Sequence, residues 1–187
     1  MKCLEYIATR NVNLLEWYDF FWSPEYRNGI IIPVYMSGKV VGYNVRYVTG
    51  KIKYFAQIHK NVVFNSDVLY NDRKFCLITE GPFDAISLDC TATMSNEVTD
   101  GQIDQYRSSN QIKVVVPDKD AAGRKFIEVA MDQNWYVSFP EWPEKDIGDA
   151  VAKYGRIPVM THILDSIEKS PFKINMKTKR YVGASIA

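Results

Sequence analysis

Phe75-Cys76-Leu77-Ile78-Thr79-Glu80-Gly81-Pro82-Phe83-Asp84-Ala85 reads as a short apolar run closed by an acid and a glycine. A run of that kind predicts a strand buried on both faces, inside a parallel sheet covered by helices. The pattern repeats downstream. Phe83 to Cys90 predicts a short helix, Thr91 to Met94 a second strand and Thr99 to Ser108 a helix; Gln111 to Val116 predicts a third strand. Ala121 to Gln133 predicts a helix with Ala122, Phe126, Val129 and Ala130 along one side, Trp135 to Phe139 a fourth strand, and Ile147 to Tyr154 a short helix. Strand and helix in regular alternation are the signature of an α/β fold.

Upstream the pattern changes. Ile30 to Tyr35 and Val40 to Val48 are β-rich runs joined across Ser37-Gly38-Lys39, which predicts a hairpin, and Ile52-Lys53-Tyr54-Phe55 predicts a third strand after Thr49-Gly50-Lys51. Leu4, Ile7, Ala8, Val12, Leu15 and Tyr18 have nearly helical spacing, so one helix or two short ones precede the hairpin. The expected organisation is a basic N-terminal lobe over 1–74 (helix plus small, mostly antiparallel sheet), a parallel α/β domain over 75–155, and a C-terminal segment over 156–187. That last segment opens with a helix near Pro158 to Ile167. For its basic stretch, Lys173, Lys177, Lys179 and Arg180, a solvated tail is the expectation, with a DNA clamp or helicase contact as alternatives.

Composition narrows the class. With 187 residues, 47% hydrophobic and 24% charged, the chain can bury a core without disulfides. Cys3, Cys76 and Cys90 are scattered, and His59 and His162 have no metal-ligand spacing, so no structural zinc is expected. No apolar run is long enough for a membrane span and no signal segment opens the chain, so a cytoplasmic location and no membrane partner are expected. The net charge of +1 conceals a segregation. Ten Lys/Arg face six Asp/Glu in 1–74, seven face fourteen in 75–155, and six face two in 156–187. An acidic centre between basic flanks suits a protein that gathers cations at one place and polyanion around it.

In a parallel sheet the site lies beyond the carboxyl ends of the strands. The acids fall there: Glu80 and Asp84 after the first strand, Asp118 and Asp120 after the third, Asp146 and Asp149 after the fourth. Like charges brought together raise one another's pKa unless a hard dication joins them. Mg²⁺, or Mn²⁺ in its place, suits such oxygen ligands. Asp118 and Asp120 can face one ion while Lys119 points away, and Gly81 and Gly123 permit close backbone approach. Asp120 is equally placed to cap the next helix, and Asp84 to act as a first-turn acid.

Glu80-Gly81-x-x-Asp84-Ala85 with Asp118-x-Asp120-x-x-Gly123 resembles the TOPRIM domain shared by bacterial-type primases, type IA and II topoisomerases and some nucleases. Upstream, Arg27-Asn28-Gly29-Ile30-Ile31-Ile32-Pro33-Val34, Gly38-Lys39-Val40-Val41-Gly42-Tyr43-x-x-Arg46 and Lys53-Tyr54 resemble the amino-terminal lobe of the RNA polymerase domain of bacterial and phage primases. Thr93-Met94-Ser95 and Lys145-Asp146 fall where that family has a strand-end turn and a third acidic motif. The resemblance spans about residues 25–155. It implies a TOPRIM-like parallel sheet flanked by helices, a neighbouring basic lobe, and synthesis of short RNA primers on single-stranded DNA from NTPs by two-metal phosphoryl transfer. Glu80, Asp84, Asp118 and Asp120 would be catalytic; Glu80, Asp118, Asp120, Asp146 and Asp149 would be metal ligands. Arg46 and Lys53 would meet nucleotide or DNA, with Lys60, Lys119 and Arg124 as further candidates.

The chain departs from that family in three ways. It has no Cys/His zinc module, so template recognition is reduced, absent or supplied by another chain. The basic residue expected before Leu69-Tyr70 is missing, with Lys60 as a substitute. No Gly-x-x-x-x-Gly-Lys-Ser/Thr loop is present, so a helicase would be a separate partner. Small size and the missing modules suggest a phage or mobile-element replication protein, acting then in the host cytoplasm, and a piece of a longer chain would read the same way. The rivals are a TOPRIM nuclease and a non-catalytic module that binds single-stranded DNA or a replication partner.

Overall fold

Side chains alternate across a strand, so adjacent Leu77 and Ile78 must face opposite layers. In the computed structural model they do, on strand β4 (Phe75–Thr79). Leu77 joins a cluster with Val114, Val116, Phe83, Ile86 and Ala150; Ile78 joins another with Val115, Val137, Phe126, Ile127 and Ile174. The structure describes residues 2–11, 13–95, 97–144 and 146–183; Val12 and Lys145 lie outside them.

Three short parallel strands flank or follow β4: β5 (Thr91–Ala92), β6 (Ile112–Val115) and β7 (Tyr136–Ser138). The sheet order is β5-β4-β6-β7-β8, where β8 (Ile167–Glu168) pairs antiparallel with β7 at the edge. This two-residue strand has no readable periodicity, and the sequence did not predict it. The helices are α3 (Pro82–Leu88), α4 (Asp100–Arg107), α5 (Ala121–Asp132), α6 (Ile147–Tyr154) and α7 (Arg156–Asp165). Thr99 and Gln102 form a reciprocal capping box at the start of α4.

The small lobe is built as its turn residues require. Strands β1 (Gly29–Met36) and β2 (Lys39–Tyr47) pair antiparallel across Ser37-Gly38, where both residues have positive φ, and β3 (Tyr54–Gln57) pairs with β2. Leading helices α1 (Lys2–Asn11) and α2 (Leu14–Trp17) are the two short helices of the sequence alternative. Ile7, Leu14, Ile30, Ile32 and Val34 are buried in the same cluster as Leu77, so the two sheets share one core. Helix α1 packs on α6.

The C-terminal basic segment differs from a solvated tail. Pro171–Gly183 is helix α8, packed on α5, with Ile174 and Thr178 buried and Lys173, Lys177, Lys179 and Arg180 outside. Buried positions four residues apart on a helix define an inward stripe, which the run of lysines obscures in sequence. Among the described residues no helix is long and apolar enough to cross a membrane.

Candidate active site

Strand β4 ends at Thr79, so Glu80 emerges at the carboxyl edge and α3 starts two residues later with Pro82 in its first turn. That places Asp84 in the first turn of α3, where it is 7% exposed. Strand β6 leads through Val116 and Pro117 to Asp118 and Asp120. Asp120 Oδ1 accepts from the amides of Ala122 (2.9 Å) and Gly123 (3.1 Å), so it caps α5 as well as facing the cleft. Asp146 caps α6, accepting from the Asp149 amide at 2.9 Å. The amide of Gly148 donates to Asp84 Oδ1 at 2.9 Å, and that of Asp118 donates to Glu80 Oε1 at 3.4 Å. Three loops are thereby stitched to one another through their acids.

Gly123 fixes the packing behind the Asp118–Asp120 turn. A Cβ there would collide with the Asp118 carbonyl oxygen, a backbone atom that moves only if the turn shifts. Overpacking against a fixed atom costs about 1–3 kcal/mol. Gly123→Ala should lower the melting temperature by about 6 °C or more, as read by circular dichroism; an unchanged melt would show that the turn yields.

A cleft of ≈ 910 Å³ opens over this edge. Glu80, Asp84, Asp118, Lys119, Asp120 and Asp146 line one wall, and Arg46, Lys53 and Tyr54 of the small lobe line the other. Arg46 is held by its Nε donating to the Tyr6 hydroxyl at 3.0 Å, with its guanidinium 4.5 Å from the Tyr54 ring centroid. Lys119 lines the cleft, but its amine donates to the Trp142 carbonyl. Asp149, Lys60 and Arg124 do not line it. Asp149 sits behind Asp146 with Oδ1 3.8 Å from Arg10, while Lys60 and Arg124 are exposed elsewhere.

Arg10 is the chief residue that the sequence did not single out. It reaches from α1 into the cleft and pairs with Asp146 at 3.0 Å. Nothing local marks it, because a single Arg on an amphipathic helix is ordinary surface until α1 docks on α6. Met94, in the strand-end turn that the resemblance marks at Thr93-Met94-Ser95, makes contacts that the sequence does not show. Its backbone is left-handed (φ 62°), its amide donates to the Glu80 carbonyl at 3.0 Å, and its sulfur accepts from Asn44 Nδ2 of β2 at 2.9 Å. This ties the hairpin to the turn after β5.

Crowding shifts the acids as electrostatics requires. Burial and then the Asp118 charge push Glu80 up to about 7. Asp84 is raised well above the usual carboxylate range by burial and then by Asp118 and Asp146, against the opposing pull of Arg10 and the Gly148 amide. Burial works against the charge on Arg10, but Asp146 and Asp84 outweigh it and hold the guanidinium protonated beyond its ordinary range. A set of carboxylate oxygens that repel one another in this way suits a hard dication. Among the described residues no three His, Cys, Asp or Glu side chains are spaced to grip one ion.

A family described as Toprim-like matches residues 77–151. Among solved structures, the primase of Aquifex aeolicus (zinc-binding and RNA polymerase domains) is 19% identical with a TM-score of 0.63, covering 89% of this chain and 50% of that one. A DnaG catalytic core is 17% identical with a TM-score of 0.67, covering 94% of this chain and 76% of the other. A DnaG primase catalytic domain bound to single-stranded DNA is 17% identical with a TM-score of 0.65, covering 94% and 75%. The chain thus spans half the length of the Aquifex structure and about three quarters of the catalytic cores. No curated protein matches the sequence. Strand order, acidic edge and these matches together give the chain the fold of primase catalytic cores, with a Toprim-like match over residues 77–151.

Proposed function

We propose that the chain is a primase-type nucleotidyltransferase that joins ribonucleotides on a single-stranded DNA template. The observation that carries this is the two-walled cleft, with Glu80, Asp84, Asp118, Asp120 and Asp146 facing Arg46 and Lys53 across ≈ 910 Å³. Acids without a facing basic wall would serve a cation alone. Bases in addition suit a cation carrying a polyphosphate.

In this reading Asp118, Asp120 and Asp146 supply one or two carboxylates to each Mg²⁺, with water and phosphate oxygens completing its shell, and Mn²⁺ fits the same oxygens. The chemistry that a pair of such ions supplies when bound is activation of the attacking 3′-hydroxyl and stabilisation of the leaving pyrophosphate oxygens. Glu80 keeps Oε1 on the Asp118 amide, which leaves Oε2 to hold metal or to take the hydroxyl proton; its affinity near neutral pH suits the second task. Arg46, braced between Tyr6 and Tyr54, and Lys53 neutralise triphosphate or template phosphate. Arg10 offsets the acids on the α1 side.

Incubation with single-stranded DNA, labelled NTPs and Mg²⁺ or Mn²⁺ tests this. The expected product is short RNA. Shortening of the DNA would assign a nuclease instead, and salt-sensitive DNA binding without any turnover would assign a binding module.

A further inference from the structure

Tyr181 continues the inward stripe of α8 beyond Ile174 and Thr178 and reaches the back of the acidic edge. Its hydroxyl donates to the carbonyl of Pro117 at 3.4 Å, the residue immediately before Asp118. Its ring meets Phe139 edge-on, with centroids 5.3 Å apart. The Lys119 amine lies 5.6 Å from the Tyr181 ring centroid and 5.9 Å from that of Trp142, and donates to the Trp142 carbonyl. A small pocket lined by Pro117, Asp118, Lys119, Trp142 and Tyr181 lies between these groups, with room for about one water. The middle residue of Asp118-Lys119-Asp120 is therefore held between two aromatic rings, while the residue before the turn is held by a hydroxyl.

We propose that Tyr181 is a positioning residue for the Asp118–Asp120 turn, acting through Pro117 and Lys119, so that the C-terminal helix helps to build the metal-binding edge. The inference deepens the nucleotidyltransferase reading and rests on it for its activity readout. Two carboxylates one residue apart can address the same ion only if the peptide between them is fixed, since displacements of about 0.5 Å already spoil such a site. Pro117 has no N–H with which to anchor itself. Its carbonyl on Tyr181 and the Lys119 side chain in its aromatic bracket supply the missing restraint. Pro, Lys and Tyr here have no individual motif value, and the Tyr lies far along the chain, so sequence pattern alone does not connect them.

The test uses the full chain with Tyr181→Phe, Tyr181→Leu, Lys119→Met and the Leu/Met double variant. Mn²⁺ binding is read by electron paramagnetic resonance, primer synthesis by kcat and by KM for NTP, and folding by circular dichroism. Tyr181→Leu should weaken Mn²⁺ binding about tenfold and lower kcat by a similar factor with KM changed less than about twofold, while Tyr181→Phe should lose about threefold. Because both residues act through one turn, Tyr181→Leu should cost less than about twofold further on the Lys119→Met background. Mn²⁺ affinity within twofold of wild type in folded Tyr181→Leu, or losses that multiply in the double variant, would overturn the proposal. Should Tyr181→Leu unfold, Tyr181→Phe and Lys119→Met decide, and wild-type Mn²⁺ affinity in both overturns it. A wild-type chain that binds Mn²⁺ but makes no RNA sinks the nucleotidyltransferase reading, and the Mn²⁺ affinities then decide the role of Tyr181 alone.

Discussion

Asp118→Asn and Asp120→Asn should each lower primer synthesis by about 10³-fold, the order expected when one electrostatic element of a preorganised site is removed. The two positions separate structure from chemistry. Asp120 also caps α5 by accepting from Ala122 and Gly123, and Asn is as good a cap as Asp. Asp120→Asn should therefore leave the melting temperature within about 2 °C of wild type while activity falls. Asp120→Ala should lose the activity and also about 1 kcal/mol of stability. Synthesis at wild-type rates in folded Asp118→Asn and Asp120→Asn would remove both from the catalytic set.

Arg10→Gln should destabilise the metal-free protein at pH 8 by about 2 kcal/mol, at the low end for a broken buried pair because Arg10 retains 24% side-chain exposure. The dependence on pH follows from the acids. Glu80 and Asp84 are raised in the fold, so the folded state binds protons more tightly than the unfolded one. Their contribution is most favourable in acid and is lost as pH rises, for Glu80 from its ordinary value of 4.5 through about 7. The Arg10→Gln deficit should accordingly be larger at pH 8 than at pH 5, where protons take over part of the neutralising role. Millimolar Mg²⁺ at pH 8 should recover part of it. Thermal melts across pH and Mg²⁺ concentration read all three effects; a deficit independent of both would mean that Arg10 serves packing rather than charge.

How much of this was legible follows from where each signal resides. Strand β4 and helix α6 announce themselves through uninterrupted apolar runs or strong amphipathic spacing, and the structure has them at Phe75–Thr79 and Ile147–Tyr154, as expected. Glu80, Asp84, Asp118, Asp120 and Asp146 could be nominated because strand ends are local, and the structure brings all five to the lining of one cleft. Arg10 was not, because its role depends on α1 docking against an element more than a hundred residues away. Lys60 was nominated as a stand-in for the missing basic residue before Leu69-Tyr70 and Arg124 as a further basic candidate, and neither reason says which wall of a fold a residue occupies; neither lines the cleft. Helix α8 was missed because its inward stripe is written in Ile, Thr and Tyr between lysines, a weak contrast by hydropathy.

The hydrophobic cluster that starts at Ile7 on α1, passes through the hairpin at Ile32 and Val34, and ends at Ile163 on α7 has a thermodynamic corollary. The basic and acidic walls of the cleft draw their cohesion from the same interior, so neither can melt without exposing the other. Heat or denaturant should meet a single cooperative unit, and the spacing between the walls is set by side-chain volume in that interior rather than by a hinge.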